Sequence, residues 1–307
     1  MVHLKTCLAS GAAALVLMTS AAVAQDAASI RTAEQLRDQA LEGSIAYSLV
    51  EELTTRFGPR PAGTASEQAA ARWGADTFRE LGFDNVALEE FPLAVWSRGE
   101  TRVEIVGENP QPLVAVTLGG SRPTPAEGIE AEAVIFETYQ QLLDAAPGSL
   151  AGKIAVVLQD TVQAQDGRGY GATSPIRGNG PSEAAKRGAV AFVLRSLGTH
   201  DHRFAHTGAT RIADDAVPGF AISPPDADQL RRLMRTTDAP VRLKLFSTAS
   251  LRTDGQSQNV IGEVRGRETP DEVIVIGGHL DSWDLGTGAI DDGAGVAITA
   301  AALKLIE

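Results

Sequence analysis

The chain has 307 residues, a formal net charge of −12 at pH 7 and 43% hydrophobic residues. The apolar content is enough for globular domains, and the length predicts about two of them. The acidic balance argues against nucleic acid or an anionic membrane surface as a partner. Cys7 is the only cysteine, so we expect no disulfide, thiolate metal ligand or cysteine nucleophile in the remainder of the chain.

Residues 1–24 are typical of a secretory signal peptide. Lys5 provides the positive charge, residues 12–18 form an apolar stretch, and residues 22–24 give an Ala-Val-Ala cleavage motif. The apolar stretch is too short for a stable membrane span. We therefore expect cleavage after Ala24 and a periplasmic or secreted protein, whose net charge moves to −13 because the segment removes one Lys and no acidic residue.

Helical periodicity and turn residues organise the next segment, residues 25–121. A helix is predicted over residues 30–56, and a rigid Gly-Pro turn follows at residues 58–63. Thr64 or Ser66 can cap a second helix, which Gly82 ends. Strands are predicted over residues 86–95 and 101–106, and a linker over residues 119–125.

Residues 122–250 have a self-contained alternation of strands and helices, which predicts an inserted domain that folds as one unit. The predicted strands are residues 131–136, 153–158, 189–195, 218–222 and 241–248. The predicted helices are residues 139–146, 182–187 and 226–234. Glycine-rich residues 167–180 lack the Lys-Ser/Thr ending of a phosphate-binding loop, and we interpret them as a flexible loop.

The last segment, residues 251–307, carries the candidate site. A strand is predicted over residues 259–265. Residues 272–276 are continuously apolar, as in a strand buried on both faces, and a helix is predicted from Ala294. Sites in open α/β sheets lie beyond the carboxyl ends of strands, which is where Gly277 and Gly278 lead into the next residues.

His279, Asp281 and Asp291 are the candidate site residues. Imidazole and carboxylate groups bind zinc, and a zinc-bound His usually donates its other ring N–H to a partner such as Asp281. Asp291 could bridge two metal ions, leaving Asp292 to cap the following helix. The alternative interpretation is a solvated loop with two Asp residues that serve only as helix caps.

Other combinations of residues are weaker candidates. His200, His202 and His206 form a cluster, but no predicted strand or helix fixes their orientation, so we rank a second metal site there low. The serine residues lack the Gly-x-Ser-x-Gly pattern, which argues against a serine hydrolase.

Several motifs together resemble the aminopeptidase and glutamate carboxypeptidase family of zinc exopeptidases, over nearly all of the chain after residue 24. They are residues 56–60, 96–100, 118–121, 152–154, 183–186, 195–196, 206–208, 278–284 and 291–293.

The resemblance implies an α/β fold with a mixed sheet and helices on both faces. Residues 122–250 would be a protease-associated lid domain, inserted between the first part of the catalytic domain and the start of the peptidase core. A complete site would hold two Zn²⁺ ions. His279 would bind one ion, Asp291 would bridge both and form a cis peptide bond with Asp292, and Asp281 would orient His279.

The same resemblance implies that a Glu-Glu pair, a further Asp or Glu and a final His follow Asp292 in the sequence, and we cannot place them in a chain that ends at Glu307. We therefore expect an incomplete core and a fragment that is inactive alone. The expected reaction is hydrolysis of short peptides or dipeptides with a free amino end. Open alternatives are an aminopeptidase of the same family and a non-catalytic module that binds a peptide or partner. We expect no nucleic acid partner and no stable membrane insertion; a homodimer is left open.

Overall fold

A computed structural model describes residues 27–206 and 208–307. The predicted signal peptide and its cleavage site lie outside these residues. Among the helices that the model describes, none is long and apolar enough to cross a membrane.

The predicted helix over residues 30–56 is two helices, α1 (Ala27–Glu42) and α2 (Ala46–Phe57). The prediction of one continuous helix is therefore wrong. The break falls at residues 43–45, where Gly43 supplies the poorest helix propensity after proline. Helix α1 belongs to a different compact unit from α2 and contains no buried residue, whereas α2 buries Leu53.

The turn over residues 58–63 leads into α3 (Ala65–Glu80), as predicted. Thr64 is the N-cap, and its side chain accepts a hydrogen bond from the Glu67 backbone. Gly82, at a φ of 91°, follows the last turn. Helix α3 buries a face of small residues with one carboxylate, which packs against the ribbon described next. That face consists of Glu67, Ala70, Ala71, Gly74 and Ala75.

A two-stranded antiparallel ribbon pairs β1 (Asp84–Ser97) with β10 (Ser250–Glu263). Ser97, the last residue of β1, lies opposite Ser250, the first residue of β10. The chain therefore enters and leaves the intervening region through neighbouring strands. Strand β10 begins well before the predicted residue 259 because β1 offers it a partner along its whole length.

The intervening region forms an eight-stranded mixed sheet in the order β3-β2-β9-β5-β6-β7-β8-β4. The strands are β2 (Thr101–Val106), β3 (Gln111–Leu113), β4 (Ala115–Thr117), β5 (Ile129–Phe136), β6 (Ile154–Val157), β7 (Ala191–Arg195), β8 (Gly219–Ile222) and β9 (Arg242–Ser247). Strands β5, β6, β7 and β8 are parallel, and the other pairs are antiparallel. The sheet joins β2, β3 and β4, which precede residue 122, to strands that follow it.

Helices cover both faces of this sheet, and the alternation of side chains in β6 makes two cores. Ile154 and Val156 belong to one core, which includes Leu230 of α6 (Pro224–Thr236). Ala155 and Val157 belong to the other, which is covered by α4 (Tyr139–Asp144) and α5 (Arg168–Lys186). The predicted mixed sheet with helices on both faces is thus confirmed for this part of the chain.

The prediction of a flexible loop over residues 167–180 is wrong, because these residues form most of α5. Four glycines and Pro175 weaken the helical signal in the sequence, but packing overrides it. Gly180 lies directly against the ring of Phe192, which is fully buried on β7. A glycine here lets the helix approach the sheet closely.

The prediction of a buried strand over residues 272–276 is also wrong. Val273, Ile274 and Val275 are 81%, 90% and 87% exposed, and no strand of the described chain pairs with them. A buried parallel strand requires hydrogen-bonded neighbours and covering helices, which this segment lacks. Helix α7 (Ala294–Ile306) begins at the predicted residue, but its only buried residues are Ala297 and Ala300.

Candidate metal site

The imidazole of His279 lies between two carboxylates. Its Nδ1 is 3.2 Å from Asp281 Oδ1 and 3.0 Å from the Asp281 carbonyl oxygen. Its Nε2 is 2.9 Å from Asp291 Oδ1. The three candidate residues therefore lie together, and each ring nitrogen faces a different one of the two Asp residues. All three side chains remain largely accessible to solvent.

Asp292 accepts hydrogen bonds from the backbone, whereas Asp291 contacts the imidazole ring of His279. Its Oδ1 accepts a hydrogen bond from the Gly295 N–H at 3.2 Å, which caps the start of α7. Its Oδ2 accepts one from the His279 N–H at 3.1 Å. The peptide bond between Asp291 and Asp292 is cis. Asp292 thus ties the backbone of His279 to the helix, and the side chain of Asp291 is left facing the imidazole.

The electrostatics of the site favour positive charge on His279. Partial burial alone would lower the pKa of His279, but the hydrogen bond with Asp291 and the negative charge of Asp281 outweigh it, so the pKa is raised. The carboxylates stabilise the imidazolium because they place negative charge at both ring nitrogens. The same arrangement suits a bound cation.

Arg60 forms hydrogen bonds with the backbone of the segment that carries the site. Its guanidinium donates from Nε to the Leu280 carbonyl at 2.9 Å and from Nη1 to the Thr287 carbonyl at 2.7 Å. The Arg60 N–H donates to Ser282 Oγ, and the Ser282 N–H donates to the Arg60 carbonyl. The sequence indicated only a rigid turn here. An arginine between two prolines was the available signal for a buried anchor.

The histidines of the cluster over residues 200–206 make other contacts in the structure. His206 Nε2 lies 2.8 Å from Arg177 Nη1, and burial, with the charges of Arg177 and His200, lowers the pKa of His206 to about 4. The His200 ring stacks on Phe204 at 4.4 Å instead. Within residues 27–206 and 208–307, no group of three or more His, Cys, Asp or Glu residues is arranged to hold a metal ion.

Comparisons with known proteins identify relatives of the chain. Residues 259–307 match the model of Peptidase family M28. Carboxypeptidase Q of Xenopus laevis is 32% identical over 280 residues, which is 90% of this chain and 58% of the relative. The chain thus spans a little more than half the length of that relative.

Two solved structures are also similar. The crystal structure of a Peptidase M28 precursor from Shewanella amazonensis is 45% identical with a TM-score of 0.84, covering 90% of this chain and 63% of that one. A zinc aminopeptidase from Bacillus subtilis is 21% identical with a TM-score of 0.60, over 85% of this chain and 57% of that one, and it supports the fold alone. The resemblance predicted from the motifs is thus confirmed: the chain is a homologue of the M28 peptidases.

Proposed function

We propose that His279 and Asp291 are zinc ligands in the metal site of an exopeptidase and that Asp281 orients His279. The observation that carries the proposal is the 2.9 Å approach of His279 Nε2 to Asp291 Oδ1. Two ligands that are each about 2.0–2.1 Å from a tetrahedral ion lie about 3.3 Å apart. His279 Nε2 and Asp291 Oδ1 would therefore need to move apart by only about 0.4 Å to bind the same ion.

The three Asp residues around His279 would have different roles in metal binding. Asp281 accepts a hydrogen bond from the Nδ1–H of His279, which would leave the Nε2 lone pair free to bind the metal. Asp291 offers the carboxylate that would bridge two ions, while Asp292 fixes the backbone on either side. Bound zinc would polarise a peptide carbonyl and lower the pKa of a bound water. A count of two zinc ions is part of the proposal, supported by the resemblance described above.

The proposed substrates are short peptides or dipeptides with a free amino end. The name of the relative carboxypeptidase Q supports an exopeptidase, and both carboxypeptidase and aminopeptidase specificity remain within the proposal. We also propose that residues 122–250 act as a lid. The paired ends of β1 and β10 support an insertion, and the boundary at residue 122 stays a prediction because the sheet also includes β2, β3 and β4.

We further propose that the 307-residue chain does not hydrolyse peptides alone. Catalytic zinc usually has three protein ligands, and the described site brings together two. A non-catalytic binding module is the second candidate. It is favoured by a cleft of about 420 Å³ beside the sheet, whose wall includes Arg122, Ile212 and Leu251. Saturable binding of a peptide that survives intact would support the binding module.

Cobalt titration tests the metal ligands. The purified chain should bind Co²⁺ weakly, with a visible absorption band, and His279→Ala should lower the affinity by at least about tenfold because it removes one of two ligands. His202→Ala is the matched control, since His202 is an exposed imidazole elsewhere in the chain. Equal loss in both variants, or loss only in the control, would contradict the assignment.

Dipeptide hydrolysis is measured on the same samples with Zn²⁺ added. We expect no product above the metal-only blank. Hydrolysis that disappears in His279→Ala would overturn the proposed inactivity while supporting the metal ligands. A third ligand and a general base would then have to come from a second subunit or from residues that we regard as structural.

Export is proposed from residues 1–24, as a periplasmic or secreted protein. The mature chain should begin at Gln25, because the Ala-Val-Ala motif ends at Ala24. N-terminal sequencing of protein from the soluble exported fraction measures this directly. A chain that begins at Met1 and stays with membranes would refute cleavage.

A further inference from the structure

Arg98 connects the segment that carries the metal site to the eight-stranded sheet. It lies in the turn between β1 and β2, and its side chain is 5% exposed. The guanidinium donates from Nε to Asp284 Oδ2 at 2.8 Å and from Nη2 to Asp284 Oδ1 at 2.7 Å. Nη1 donates to the Thr117 carbonyl of β4. One side chain therefore binds both the sheet and the residue three positions after Asp281.

Two tryptophans enclose the same guanidinium. Its central carbon lies 5.0 Å from the Trp96 ring centroid and 5.9 Å from the Trp283 ring centroid. Trp96 Nε1 donates to the Ser121 carbonyl at 3.0 Å. The Trp283 ring packs on Gly119, where an added Cβ would approach ring atoms to 2.5 Å. The stack and the two-pronged ion pair both require a planar guanidinium, which lysine lacks.

His279 is held by the hydrogen bond from its own N–H to Asp292 and by contacts of the residues that follow it in the sequence. Residues 273–275 before it are exposed and have no strand partner within the described chain. After it, the Ser282 backbone is held by Arg60 and the Asp284 carboxylate by Arg98. The segment from His279 to Asp284 is thus held at its beginning by Asp292 and at its end by Arg98.

We propose that Arg98 is a positioning residue for the metal site, acting through Trp283 and Asp284 on His279 and Asp281. The inference rests on the proposed function, because it assigns Arg98 to that same site. Partners that orient a ligand from outside the metal sphere commonly change metal affinity by about 10- to 100-fold.

The test compares Arg98→Met, Arg98→Lys and Asp284→Asn with Arg102→Met. Arg102 is a matched control, because it also stacks on an aromatic ring, Phe246, and pairs with an acidic residue, Glu100. The chain has three tryptophans, so its indole N–H spectrum has three signals. We expect Arg98→Met to shift the Trp96 and Trp283 signals, leave Trp73 unchanged and weaken Co²⁺ binding at least about tenfold.

The lysine variant should not restore binding, and Asp284→Asn should reproduce the loss while keeping Arg98 in place. If Arg98→Met does not fold, Asp284→Asn decides the matter alone. A shifted Trp283 signal with unchanged Co²⁺ affinity would overturn the inference, because Arg98 would then be merely structural. An equal loss in Arg102→Met would also overturn it.

Failure of the proposed function is distinguishable from failure of this inference. If the unaltered chain binds no Co²⁺, the metal proposal is wrong, and the imidazole ¹⁵N signals of the metal-free protein decide the role of Arg98. A change in the His279 signals of Arg98→Met, with those of His202 unchanged, would support positioning. Unchanged His279 signals would overturn it.

Discussion

Replacing Arg60 with methionine is expected to lower the free energy of unfolding by about 1–3 kcal/mol. Arg60 is 0% exposed and donates to the carbonyls of Gly58, Leu280 and Thr287. Methionine fills similar space but leaves these carbonyls without their donor, and buried unsatisfied polar groups are costly. Burial lowers the pKa of Arg60, and the charge of Asp281 opposes that shift.

Urea unfolding of Arg60→Met measures the effect. Arg72→Met is the control, because Arg72 is exposed on α3, and its replacement should change stability by less than about 0.5 kcal/mol. Within the described residues, Arg60 Nη2 is buried and has no hydrogen-bond partner, which moves the expectation towards the lower end of the range. A loss below about 1 kcal/mol for Arg60→Met would show that the segment over residues 280–287 is held by other contacts.

Gly180 and Phe192 form the second pair with a large expected effect. Phe192→Ala should cost about 3–5 kcal/mol, because it empties a fully buried ring position. Gly180→Ala in the interior of a helix would ordinarily stabilise by up to about 1 kcal/mol. Here the new methyl group would overlap the Phe192 ring, so we expect a loss of about 1–3 kcal/mol instead.

The double variant gives the sharpest result. Once Phe192 is alanine, Gly180→Ala should become neutral or stabilising, with an interaction energy of at least about 1 kcal/mol between the two sites. Gly171→Ala is the control in the same helix, since an added Cβ there meets nothing within 4 Å. Thermal and urea unfolding of the four chains measure the cycle. Additive losses at Gly180 and Phe192 would contradict close packing of α5 on the sheet.

Local signals predicted much of the fold. Helix α3 was found from Thr64 and Gly82, and the parallel strands were found from short apolar runs between turns. Helix α5 was missed because its glycines and prolines reflect packing against Phe192 rather than intrinsic helix propensity. The apolar run over residues 272–276 predicts a buried strand wrongly, because apolar composition alone does not provide the neighbouring strands that burial requires.

Within the candidate site, the residues that are close in sequence could be predicted, but their long-range contacts could not. His279, Asp281 and Asp291 lie within thirteen residues of one another, so their grouping could be predicted from spacing. The Arg60–Leu280 and Arg98–Asp284 contacts join residues 220 and 186 positions apart. The motif over residues 96–100 contributes to the family resemblance, but the local sequence does not indicate that Arg98 pairs with Asp284. The partners of both arginines lie far away in the sequence, so only the folded chain brings them into contact.

Strands β1 and β10 pair with each other, and the intervening sheet connects them as a turn connects the strands of a hairpin. Residues at paired positions such as Ser97 and Ser250 lie about 4.5–5.5 Å apart in an antiparallel ladder. The chain therefore leaves the region of the sheet close to the point where it enters it, as in the tight turn of a hairpin. Folding of the sheet brings the two ends of this long segment together, so the entropic cost of closing the loop is met before β1 and β10 pair. The two strands then pair as neighbours, and an entire domain takes the place of the hairpin turn.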